Sequence, residues 1–200
     1  MTVKDPTTRM LDFEPATRQV AQLLDGVTDD RLSGPTPCEE YAVHHLLAHL
    51  VGLTAAFRDA AKKELGPTTG TDPGAALPVL DDDWRTRLPQ QLDELAAAWS
   101  DPDAWQGTTQ AGGVTLTGAV AGRVALNEIV VHGWDLARST GQAYAVDAAS
   151  LQSSYELLEP TDDSAGGDGI FGTPVEVPED APLLDRVVGR AGRDPAWSAE

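Results

Sequence analysis

Three residues carry donor atoms in a pattern that could grip a metal ion: His49, Glu128 and His132. Glu128 and His132 fall in the run Asn127-Glu128-Ile129-Val130-Val131-His132-Gly133-Trp134-Asp135. On a helix, an i,i+4 spacing puts both side chains on one face with Cβ atoms ~5–6 Å apart. His49 lies in Leu46-Leu47-Ala48-His49-Leu50-Val51-Gly52, where Gly52 clears space beside it, and the small Ala121 and Ala125 continue the Glu128 face. Two imidazoles and a carboxylate suit zinc, nickel, copper or iron(II), and the carboxylate offsets part of the ion's charge. Three protein ligands leave a position for water or substrate, as catalytic zinc requires. The same residues have plainer readings. His49 could be a core histidine satisfied by one hydrogen bond, and Glu128 with His132 a charge-assisted helical pair. Location favours ligation, because ionisable groups inside a strongly apolar helix need a compensating charge.

Other reactive side chains cluster near these. His45 precedes His49 by one turn and could be a proton shuttle, a surface residue or, less favourably, a fourth ligand. Asp135 could accept the ring N–H that a ligating His132 leaves over, or be a surface or capping carboxylate. Cys38 is the only cysteine, so there is no internal disulfide framework and no cysteine-based zinc cage. Near a helix N-terminus its thiolate would be favoured; the plainer reading is a small apolar residue packed at a helix start.

The elements that must position these residues are helical. Pro15 opens an apolar-periodic helix over about 13–25, with Asp12 or Glu14 as cap and Gly26 as stop. Thr36-Pro37-Cys38-Glu39 has capping-box spacing ahead of a long helix, Tyr41 through Leu65, ended by Gly66-Pro67. A loop follows over 66–80, then a helix over about 83–99 behind Asp81-Asp82-Asp83, with Pro89 able to kink or split it. Residues 100–117 form a loop or short hairpin. The helix over about 118–138 is apolar over most of its surface, which marks it as central. Asp147 caps a fifth helix to about Glu159, and Pro182 starts a short one through Arg190. The Gly-rich stretch 165–172 lacks Lys and Arg, so it does not read as a phosphate cradle; it could cover the metal mouth. The economical architecture is all-α: an antiparallel four-helix metal-binding bundle over 1–140, with 141–200 a C-terminal helical appendage and tail of the same domain.

Composition narrows the function classes. Two hundred residues, 41% hydrophobic and 23% charged, make an ordinary globular chain. The net charge of -18, from 14 basic and 32 acidic residues, argues against nucleic acid and anionic membranes as partners. The start of the chain is polar, without the apolar core of a secretory signal, and no window of ~18 apolar residues could span a membrane. With a single thiol, these features make a cytoplasmic location the expectation.

The segments Thr36-Pro37-Cys38, Leu46-Leu47-Ala48-His49-Leu50-Val51-Gly52 and Asn127-Glu128…His132-Gly133-Trp134-Asp135-Leu136-Ala137 resemble the mycothiol-dependent maleylpyruvate isomerase family. More broadly they resemble the DinB-like metal-binding four-helix bundles. The ending, Phe171-Gly172-Thr173-Pro174-Val175 to Gly192-Arg193-Asp194-Pro195-Ala196-Trp197, is similar to a small subgroup of that superfamily. The resemblance implies a divalent metal, usually zinc with nickel or iron as alternatives, held by His49, Glu128 and His132. It implies a mycothiol-type thiol cofactor and a small electrophilic substrate as partners, with a homodimer allowed. The activity implied is that of a thiol-dependent transferase or isomerase, with His45 as candidate acid or base. The full isomerases carry a separate C-terminal domain, whereas only about sixty residues follow the fourth helix here, too few for a second domain of ordinary size. The other readings are a metal-dependent hydrolase, a non-catalytic metal- or small-molecule-binding module, and a bundle without metal that mediates association.

Overall fold

The structure is a computed structural model, and it describes residues 10–159 and 172–199. Helix α1 spans Glu14–Leu24, with Pro15 in its first turn and Asp12 Oδ1 accepting the Glu14 N–H at 2.9 Å. The long helix α2, Val43–Lys62, ends where Lys63 turns left-handed at φ 59°. A single turn, α3 (Pro67–Gly70), follows inside the expected loop. Helix α4 (Trp84–Trp99) runs unbroken through Pro89. Two short strands, β1 (Thr108–Ala111) and β2 (Val114–Thr117), pair antiparallel. Gly112 and Gly113, at φ 58° and 78°, make the turn between them, since two consecutive positive φ values favour glycine. Helix α5 (Gly118–Thr140) starts at Thr117, whose hydroxyl accepts the Val120 N–H. Helices α6 (Ala148–Leu157) and α7 (Leu183–Arg190) complete the chain.

One local expectation is corrected. The Thr36–Glu39 pair does not cap α2, which begins at Val43. Thr36 Oγ1 instead accepts from the Cys38 N–H at 3.1 Å and lies 2.7 Å from the Tyr41 carbonyl, closing a turn. A bridge between Pro35 and Ala42 holds the two ends of that turn together. The start of α2 is satisfied by a side chain three residues in: His45 Nδ1 accepts the Ala42 N–H at 3.2 Å. The hydroxyl was taken by the nearer turn, and the orphan helix donor found the imidazole instead.

Four helices form the bundle. Both α1 and α2 pack against α4 and α5, so α1 and α2 lie diagonally opposite. The apolar faces meet in one core with Leu46, Leu47, Leu50, Leu88, Leu92 and Ile129 wholly buried. At one end Phe13 stacks on Trp99 with ring centroids 5.7 Å apart, and Trp105 sets its edge against both. Helix α6 covers the outer side of α5, and α7 packs on α6 and α5. Because α5 is sandwiched between the bundle and α6, it has no broad solvent face. That is the physical reason for its all-round apolar sequence.

The stretch 160–171 lies outside the described residues, and so does most of the Gly-rich segment expected to cover the site. Among the described residues, no helix is long and apolar enough to cross a membrane.

Candidate functional site

Helices α2 and α5 pack side by side, and His49, Glu128 and His132 meet across that contact. One donor atom from each lies within 4.8 Å of the others. His49 Nε2 is 3.6 Å from Glu128 Oε2, and His132 Nε2 is 3.2 Å from the same oxygen. The imidazoles stand edge to face, with centroids 4.8 Å apart. A tetrahedral ion with bonds of ~2.0–2.1 Å needs donors roughly 3.3 Å apart. The two contacts to Glu128 bracket that spacing; all three donors lie within 4.8 Å of one another and would draw in around such an ion. Their side chains are 15%, 15% and 9% exposed, which leaves one side of the group reachable from solvent. Gly52, a turn beyond His49, adds to that opening, because a Cβ placed there would touch nothing within 4 Å. Ala121 and Ala125 do not leave a void; both are wholly buried in the core.

Further along the same face of α5, Asp135 meets His132. Its Oδ2 lies 2.9 Å from His132 Nδ1, and the carboxylate is completely buried. A carboxylate can only accept, so this nitrogen carries the hydrogen, and Nε2 is the atom turned toward Glu128. The electrostatics of the group are strongly coupled. Burial alone would lower the basicity of His132, but its hydrogen bonds to Asp135 and Glu128, with their charges, push it up to about 9. Burial alone would raise Glu128, yet the bonds from His132 and His49 hold it well below the usual carboxylate range. His49 goes the other way, lowered chiefly by burial despite its contact with Glu128. Without a metal, then, the group holds one proton on His132, whose positive charge is matched by the Glu128 carboxylate. A divalent cation could take the place of that proton.

His45 does not join the three donors. Its Nδ1 is committed to the Ala42 N–H, and its ring lies 3.9 Å from that of His44. Tyr41 sits between the two regions, with its ring 6.1 Å from His45 and 5.7 Å from His49. His45 also borders a separate cleft of about 680 Å³ between the start of α2 and the residues leading into α4. None of the three converging donors lines that cleft. Cys38 lies in the turn before α2, several residues short of the helix start, and burial raises its thiol. The reading of Cys38 as a thiolate favoured by a helix N-terminus is therefore not met.

Sequence reasoning missed Arg193 and Tyr41. Arg193 follows α7 and reaches back to α5, where its Nη2 donates to Asp135 Oδ2 at 3.1 Å. No periodicity announces such a contact; the only local sign is Gly192, which turns the chain at φ 81° just before it. Tyr41 lies in a turn where its aromatic type alone says nothing of its neighbours.

Fold and site together define an all-α bundle with a His–Glu–His face between two of its helices. The chain belongs to the mycothiol maleylpyruvate isomerase N-terminal domain family, whose profile matches residues 13–137. It is 28% identical over 188 residues to uncharacterized Mycobacterium tuberculosis proteins of the CDC 1551 / Oshkosh and ATCC 25618 / H37Rv strains, covering 86% of this chain and 91% of each relative. A crystal structure of the mycothiol-dependent maleylpyruvate isomerase superposes with a TM-score of 0.55 at 18% identity, over 73% of this chain and 66% of that one. A histidine-to-alanine mutant of that isomerase gives a TM-score of 0.57 at 18% identity, over 78% and 71%. At that identity the likeness is one of fold, the DinB-like bundle. The chain spans about two thirds of the length of those isomerases.

Proposed function

We propose that this protein binds a divalent metal ion, zinc in the first instance, through His49, Glu128 and His132, and uses it with a mycothiol-type thiol to transform a small electrophile. The observation that carries the reading is the convergence of three donors from two helices within 4.8 Å. Family membership supports the thiol. A divalent ion at such a site acidifies a bound thiol or water and so provides a nucleophile at neutral pH.

The chain's own residues do the positioning. Asp135 holds the Nδ1–H of His132 and leaves Nε2 for ligation. Glu128 sits between the imidazoles and supplies the one negative charge of the donor set. Three ligands on one side leave the solvent-facing side for a thiol. Tyr41, packed near His49, forms part of that approach. His45, one turn before His49, is the candidate acid or base; its Nδ1 accepts at the helix start, so Nε2 carries the ring hydrogen.

The test is direct. Protein purified without a His-tag should carry about one equivalent of divalent metal, and His49→Ala should lose it. Thiol addition to the cobalt-substituted protein should change its visible spectrum, and a panel of electrophiles with thiol should give turnover. Absence of stoichiometric metal in the native protein would sink the reading. Metal without any spectral response to thiols would leave a metal-binding module and remove the thiol chemistry.

A further inference from the structure

We infer that Arg193, in the C-terminal segment after α7, is a positioning residue for the His49–Glu128–His132 group and acts through Asp135. The inference rests on the metal-binding reading above. The Arg193 guanidinium meets the Asp135 carboxylate twice, Nε to Oδ1 at 3.3 Å and Nη2 to Oδ2 at 3.1 Å. The same Oδ2 faces His132 Nδ1 at 2.9 Å. A chain of contacts thus runs from the tail through a buried carboxylate to the imidazole whose other nitrogen faces Glu128.

Each link has a physical reason. Asp135 has no exposed surface, and a buried charged group needs a paired, hydrogen-bonded partner. Arg193 supplies that partner, and a two-point contact with a planar guanidinium fixes the plane of the carboxylate as a single ammonium could not. The guanidinium is itself anchored: Nη1 donates to the Ala191 carbonyl at 2.6 Å, and the Arg193 backbone N–H donates to Val188 at 2.9 Å. The orientation of His132 therefore depends on a segment that lies outside the family-matched residues 13–137. A bundle with the His–Glu–His face but no such segment would lack this brace.

The direction of the effect separates this role from simple electrostatics. A guanidinium beside a cation site repels the cation, so if charge alone mattered, its removal would tighten metal binding. If Arg193 positions Asp135, its removal weakens binding. The experiment titrates Co²⁺ against a competing chelator in metal-stripped full-length protein, with urea unfolding of the stripped protein alongside. Arg193→Gln is expected to weaken Co²⁺ about 10–100-fold, the range for partners that orient a ligand. Arg193→Lys, which keeps the charge but not the fork, should fall between it and wild type. Because Arg193 acts through Asp135, the double variant with Asp135→Asn should bind no more weakly than Asp135→Asn alone. Should Arg193→Gln fail to fold, Arg193→Lys carries the comparison. Affinity within twofold of wild type for both variants, tighter binding, or losses that add in the double variant would overturn the inference. If wild type takes up no cobalt, the metal reading fails first and this inference goes with it.

Discussion

Stripping the metal should make the stability of the protein depend on pH in a way that His132 dictates. In the metal-free protein His132 is raised from 6.5 to about 9 by Asp135 and Glu128, against the effect of burial. At ~1.36 kcal/mol per pH unit, that rise is worth about 3 kcal/mol. The sign follows from which state holds the proton. Below pH 6.5 both folded and unfolded chains carry it, and the full stabilisation is present. Between 6.5 and about 9 the unfolded chain has lost it while the folded one has not, so stability falls as pH rises. Glu128 is lowered and stays ionised in both states through this window, so it adds no slope; His49 is lowered when folded but still binds protons in the unfolded chain near pH 6.5, so it adds a small opposing slope at the low end only. Urea unfolding of chelator-treated protein at pH 6.5 and 9 should differ by about 3 kcal/mol, with the difference abolished in His132→Gln. The same proton competes with metal. At pH 7 binding of one ion should release about one proton, and apparent affinity should rise about tenfold per unit from pH 7 to 9. Calorimetry in buffers of different ionisation enthalpy measures the release. No proton release at pH 7, together with flat stability in the stripped protein, would refute the assignment of that proton to His132.

Three further outcomes concern the frame that holds the site. Gly122→Ala would set a Cβ 2.7 Å from the Trp105 ring and 2.8 Å from that of Trp99, so thermal unfolding should show a loss of about 1–3 kcal/mol. Leu92→Ala empties a wholly buried position between α4 and its neighbours and should cost about 2–5 kcal/mol by urea unfolding. Asp147→Ala removes an acceptor for the Ala149 and Ser150 N–H groups at the start of α6; a loss of about 1 kcal/mol is expected, with metal content unchanged.

Much of this was legible in order of residues because it depends on short-range rules. Helical periodicity located the four bundle helices to within a few residues, and the i,i+4 pair Glu128–His132 was bound to share a face once α5 was a helix. Pro15 and Asp147 marked helix starts because their effects act within one turn. Thr36 misled for the complementary reason: a hydroxyl can satisfy a nearer turn as well as a helix end, and spacing does not say which competitor wins. Pro89 sits in α4 without breaking it, because packing against α1 and α2 holds the helix across the missing backbone bond.

What residue order alone determined is the inventory: a helical chain, two histidines and a carboxylate on apolar helices, a lone thiol, and a strongly acidic composition. What only tertiary structure decided is which of these meet. His49 faces Glu128 because α2 packs beside α5, while His45, one turn away, turns its Nδ1 to a helix start. Arg193 reaches Asp135 across 58 positions of chain because α7 docks on α5 and α6. Contacts within a helix follow from a fixed rise and twist per residue. Contacts between helices depend on how whole apolar faces pack, and no local spacing encodes that.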